Sequence, residues 1–150
     1  MSTRACIAIK VKNGGYNFIY CHSDGYPFYT GRILLESYTD TEKVKTLISN
    51  GAMSVLGREV GDKHNFNEFG VEYITDGTYN VCTFYYRDRN DALSIGIAED
   101  TKELFVKADE MCACFIYLFD NGSWKMAEYN KTITGKFKFK KMTKKDCKKR

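Results

Sequence analysis

Residues 20–27 read Tyr-Cys-His-Ser-Asp-Gly-Tyr-Pro. This octet holds one of the chain's two histidines, its single proline, a cysteine and an acid. Two kinds of chemistry suit such a set. Histidine is the side chain suited to proton transfer near neutral pH, and Asp24 two residues on could orient His22 for general acid–base work. In a turn, however, an Asp more often caps its own backbone. Binding uses more of the residues. Ser23-Asp24-Gly25 precede a predicted helix start at Thr30-Gly31-Arg32, where free amides and the positive helix end attract anions. Tyr26, Phe28 and Tyr29 offer ring faces for a base, and Arg32 offers a fork for a phosphate.

A second cluster, Tyr85-Tyr86-Arg87-Asp88-Arg89, has similar chemistry. Two tyrosines and two arginines at a strand end can stack on a ring and clamp a phosphate. The plainer alternative divides the tyrosines between core and surface and pairs the arginines with Asp88. Such aromatic-plus-arginine surfaces also serve protein interfaces. The candidate ligand-binding residues are therefore His22, Asp24, Gly25, Tyr26, Tyr29, Arg32, Tyr86, Arg87 and Arg89.

Catalytic motifs are missing from the sequence. There is no Gly-x-x-x-x-Gly-Lys, no Gly-x-Gly-x-x-Gly after a strand, no His-Glu-x-x-His and no Gly-x-Ser-x-Gly. Two histidines are too few for a His-rich metal centre. Cys112 and Cys114 are one residue apart, so they form no Cys-x-x-Cys pair. On a strand they share a face, which predicts buried structural thiols. No spacing supports Cys21 or Cys114 as a nucleophile with His64. No metal or cofactor is expected.

These residues must be positioned by a chain of 150 residues, 43% of them apolar and 15% aromatic. That suits one globular domain with a sizeable core. No apolar run approaches the roughly 20 residues of a membrane span. The start, MSTRACIAIKVK, lacks a long apolar segment, so a cytoplasmic protein with reduced thiols is expected. The net charge of +4 is uneven: residues 131–150 hold ten bases against Asp146, or +9, so the other 130 residues carry −5. A basic tail can meet phosphates, RNA or an acidic partner. The simpler expectation is a solvated end, frayed from about 142.

Local patterns place the elements. Residues 3–11 alternate, predicting a strand with one wet face; Asn13-Gly14-Gly15 turns it into Tyr16–Cys21. After the octet come helical stretches at 30–37 and 39–50, the second with a Thr39/Glu42 capping box and an Asn50-Gly51 stop. Residues 57–68 read as a loop. Strands are expected at Val71–Ile74, Tyr79–Arg87 and Leu93–Ile97, and a short helix at 100–108. Cys112–Phe119 is a central strand. Asp120-Asn121-Gly122-Ser123 turns it into Trp124–Tyr129, and Ile133–Phe139 adds a lysine-protected edge. The fold class is α+β: an antiparallel sheet with a short helical insertion after the first β-hairpin.

Several of these motifs together resemble a group of small phage-encoded accessory proteins. The shared pattern is Arg4-x-x-Ile7, the octet 20–27, Gly31-x-x-Leu34, Tyr38, Lys43-Val44, Leu47-Ile48-x-x-Gly51 and Ser54-x-Leu56. It continues in Tyr86-Arg87-Asp88-Arg89 and the Tyr117–Trp124 hairpin, and so covers residues 4–125. Many of the group carry tryptophan where this chain has Ser23. The resemblance implies a protein made early in infection to manage the bacterial host. Among small phage proteins of this size, one class sequesters cyclic nucleotide immune signals as oligomers and another binds a defence effector directly. The expectation is a non-enzymatic, homo-oligomeric binder of a cyclic nucleotide or related small anionic ligand, with no membrane partner. The alternative is an inhibitor of a host defence protein or nucleoprotein complex. A small hydrolase using His22 and Asp24 comes third.

Overall fold

The computed structural model describes residues 2–68, 76–129 and 137–149. The chain opens with β1 (Ala5–Lys10) and β2 (Tyr16–Cys21), followed by a π-helical turn (Pro27–Gly31), α1 (Arg32–Ser37) and α2 (Thr41–Ser49). Next come β3 (Met53–Val55), β4 (Gly57–Glu59), β5 (Tyr79–Val81), β6 (Thr83–Phe84) and α3 (Tyr85–Arg89). β7 (Gly96–Ala98), α4 (Thr101–Glu110), β8 (Phe115–Asp120), β9 (Ser123–Glu128) and β10 (Phe139–Lys141) complete the main elements.

Two hairpins build the centre. β1 and β2 pair antiparallel from Ala5↔Cys21 to Lys10↔Tyr16. β8 and β9 turn on Asn121 and Gly122, whose φ angles of 52° and 81° match the twist of the flanking strands. β1 then pairs with β8 in parallel, Ala5↔Phe115 to Ile9↔Phe119, joining the two ends of the chain. The full order is β10-β9-β8-β1-β2-β3-β6, with β7 also on β2. The sheet is mostly antiparallel, and helices follow the first hairpin, so the class is α+β as expected.

Helices cover both faces of this sheet. Ile7, Ile19, Tyr117 and Phe119 pack with Ile33 and Leu34 of α1 and Val44 and Leu47 of α2. Cys6, Ala8, Phe18, Ile116 and Leu118 pack with Leu104 and Ala108 of α4. The expected wet face of β1 is therefore dry: Cys6 and Ala8 are fully buried. Small side chains there admit the second helical layer.

Other boundaries shift for local reasons. Asp40, not Thr39, caps α2, its carboxylate accepting from the Lys43 amide at 3.3 Å. The expected strand Tyr79–Arg87 breaks into β5, β6 and then α3, so the tyrosine–arginine cluster lies on a short helix. β7 pairs with β2 and not with that segment. Residues 57–68 are not a featureless loop but hold β4 and a 3₁₀ turn at Phe66–Glu68. The expected strand Val71–Ile74 lies outside the described residues, as does 133–136 of the expected edge; of its remainder only Phe139 is strand, the edge β10 running instead over Phe139–Lys141, paired with β9. Cys112 and Cys114, expected to be buried, are exposed because they fall in the turn between α4 and β8.

The basic tail differs most. Met142 and Cys147 are buried, the Met142 amide donates to Trp124 O at 3.0 Å, and Lys144–Cys147 form a 3₁₀ turn capped by Thr143 and Asp146. Residues 142–149 thus pack against the body where a frayed end was expected, because the two sulfur side chains reach the core. Among the described residues, no helix is long and apolar enough to cross a membrane.

Candidate functional site

The octet is a clamped corner. Asp24 takes the left-handed conformation at φ 55°. The Gly25 amide donates to Thr3 O at 2.8 Å, and the Thr30 hydroxyl to Asp24 O at 2.7 Å. From the far side of the core, the Tyr117 hydroxyl donates to Gly25 O at 2.6 Å. Pro27 then opens the π-helical turn, where a missing N–H costs nothing. The backbone is therefore held before any ligand arrives.

The corner sends its side chains two ways. His22 lies beside Tyr20, with Tyr20 Oη and His22 Nδ1 2.6 Å apart. Its amide donates to Met53 O at 3.0 Å, on the side of the sheet that leads to α3. The Asp24 carboxyl is raised by burial and partly lowered again by a hydrogen bond from Tyr26. His22 and Asp24 thus engage different tyrosines, and the acid–base pair weighed from their spacing does not assemble. Tyr29 is core: it is 5% exposed, and its hydroxyl donates to Leu56 O at 2.7 Å and accepts from the Tyr79 amide at 3.2 Å. It offers no ring face to a ligand.

Tyr26, Pro27 and Phe28 go the other way and meet the C-terminal segment. Together with Phe115, Lys148 and Lys149 they line a groove of about 390 Å³. Tyr26 is 37% exposed. The Arg32 guanidinium sits 4.7 Å from the Phe28 ring centroid, and its Nη2 donates to Asp76 O at 3.3 Å. Its Nε is buried without a hydrogen-bond partner among the described residues. Asp146 also lines the groove, but its carboxylate is held by Lys140 at 2.7 Å and by the Thr143 amide at 2.8 Å. Those contacts, with the lysine bond foremost, keep it below the usual carboxylate range.

The second predicted cluster is mostly structural. Arg87 donates to Val60 O, Gly61 O and Cys82 O at 2.9, 2.7 and 2.8 Å, and Nε donates to Asp88 at 3.0 Å. No fork is left for a phosphate. Arg89 is bidentate on Asp91, at 3.2 and 2.6 Å, and stacks over Phe66 and Tyr85. Tyr86 is 49% exposed, and Arg89, though exposed, is engaged by Asp91. A phosphate clamp at Arg87 and Arg89 is therefore not assembled, because carboxylates and carbonyls already hold both guanidiniums.

Phe115 was not singled out from the sequence, and Lys148 and Lys149 stood out only as part of the basic tail. One signal was available: Met142 and Cys147 interrupt the lysine run as apolar anchors. Gly31 completes the docking. A Cβ there would lie 3.2–3.3 Å from Met142 Sδ, Cys147 Sγ and the Tyr117 ring. Gly31→Val is expected to push the C-terminal turn off the loop. Cys147, whose thiol is pushed up to about 11 chiefly by burial, then becomes accessible. Thiol titration of the native protein checks this: Cys112 and Cys114 react in the parent, and one further thiol reacts in the variant. No known protein family, curated protein or solved structure matches this chain.

Proposed function

We propose that the protein binds, without catalysis, a small anionic nucleotide in the groove between Tyr26–Phe28 and the C-terminal turn. One observation carries this reading. Exposed ring surface and the two lysines at 148 and 149 line the same groove, on a backbone already fixed by Thr3, Thr30 and Tyr117. Rings stack on a base, ammonium groups attract phosphate, and prior ordering lowers the entropic cost of binding. The resemblance to phage accessory proteins supplies a setting, in which holding such a signal blunts a host defence.

Calorimetry with cyclic di- and trinucleotides and cyclic ADP-ribose isomers tests this. At least one is expected to bind, and Tyr26→Ala to weaken it by about 1–3 kcal/mol, the usual worth of a stacked base. A panel that gives no heat, at protein concentrations in the micromolar range, would overturn the reading.

A second reading, docking of a protein, draws on another surface. Leu93, Ile95 and Ile97 are 48%, 37% and 71% exposed, and among the described residues β7 pairs only with β2. Such an edge can accept a strand from a second copy or from a host defence protein. Light scattering is expected to find an oligomer that Ile97→Asp disperses. A parent protein that stays monomeric at every concentration rules out self-assembly there.

A further inference from the structure

The groove does not end at its two lysines. Lys138, Lys140 and Lys141 lie on and beside β10, and Lys144 and Lys145 lie on the 3₁₀ turn. All five are exposed, as are Lys148 and Lys149. Asp146 is the one acid of this span, and it already holds Lys140. Because Asp146 lines the groove and holds Lys140 at 2.7 Å, Lys140 stands at the groove's rim; alternation along β10 turns Lys141 to the other face, so the ridge comprises Lys138, Lys140, Lys144, Lys145, Lys148 and Lys149.

This charge is held in place. β10 is paired with β9, Met142 and Cys147 are buried, and Thr143 and Asp146 cap the turn. Fixing like charges close together works against folding, since they repel. Protection of a sheet edge accounts for lysines on β10. It does not account for Lys144, Lys145, Lys148 and Lys149, which lie beyond the strand. Fixed cations beside the partly exposed Tyr26 ring and the half-buried Phe28 ring, one face of which Arg32 covers, match the arrangement that single-stranded nucleic acid binders use: cations follow the backbone and rings stack the bases.

We infer that the ligand of this surface is a single-stranded nucleic acid segment, with bases on Tyr26 and Phe28 and consecutive phosphates along the lysine ridge. This rests on reading the groove as a base-stacking site and extends it from one nucleotide to several. Recognition is sequence-tolerant, since every base has a face to stack and the lysines read only phosphate.

Fluorescence anisotropy of the full chain with labelled ten-nucleotide oligothymidylate tests it, with thymidine monophosphate as unlabelled competitor across a salt series. The oligonucleotide is expected to bind at least about tenfold tighter than the mononucleotide, with log affinity falling against log salt at a slope of about −2 for three phosphates. Lys144→Gln with Lys145→Gln should weaken the oligonucleotide several-fold and leave the mononucleotide unchanged. Tyr26→Ala should weaken both. If the mononucleotide binds and the oligonucleotide is no tighter, the inference falls while the groove reading stands. If the double lysine variant binds the oligonucleotide as well as the parent, the ridge is not its track and the inference is overturned. If the oligonucleotide binds and Tyr26→Ala leaves that unchanged, the rings do not stack its bases, and both readings fall.

Discussion

Asp88→Ala is expected to lower folding stability by about 3–5 kcal/mol, a large share of a typical domain's total. The Asp88 side chain is fully buried. It accepts from the Phe84 amide at 2.8 Å, the His64 amide at 3.1 Å, and Arg87 Nε and Nη2 at 3.0 and 3.2 Å. Its removal strands two amides and a largely buried guanidinium, which also ties residues 60, 61 and 82 to α3. Denaturant unfolding reads the loss as a lower midpoint; a change within about 0.5 kcal/mol, the size of an ordinary surface substitution, would refute it.

The same carboxylate gives a pH dependence. Burial raises Asp88, but the bonds from Arg87, Phe84 and His64 outweigh it and hold the group below its ordinary value. A depressed folded-state pKa means the contribution is fully present above the unfolded value of about 3.9. It is lost as pH falls through the lower folded value. Acid titration of stability should therefore be flatter below about pH 4 in Asp88→Ala than in the parent.

The second large effect is expected at Gly25. A Cβ there would stand 2.8 Å from Ala5 Cβ, whose residue is paired in β1, and 2.8 Å from Thr3 O, just ahead of that strand. Gly25→Val is expected to cost about 1–3 kcal/mol or more from overpacking. It should also break the Thr3 and Tyr117 bonds that hold the corner, and so weaken groove binding more than Tyr26→Ala does. Gly77 is the contrast, since a Cβ there meets nothing within 4 Å. Its substitution should cost only the strain of its positive φ, about 1–2 kcal/mol. Thermal melts of both variants, with calorimetry on the proposed ligand, check this. Equal melting temperatures for Gly25→Val and Gly77→Ala would count against the packing account.

Much of the architecture was legible from the chain alone. Both hairpins, their turns, the helical insertion and α4 follow from period, turn residues and caps. These are interactions between neighbours, and a sequence displays neighbours directly. Asn121-Gly122 turns wherever it occurs, because both residues tolerate a left-handed backbone. The α+β class follows from summing such local signals.

Tertiary structure decided which faces are dry and which charges are engaged. β1 has small residues on its second face, and only the arrival of α4 makes that face core. Arg87 and Arg89 have the composition of a phosphate clamp, yet partners up to 27 residues away hold the first and a nearby acid the second. Tyr29 and Tyr26 are three apart and chemically alike. One is taken into the core by Leu56 and the other is left at the surface beside Lys148 and Lys149. Burial and hydrogen bonding are satisfied by whatever lies nearest in space. A linear chain specifies that neighbour only after it has folded.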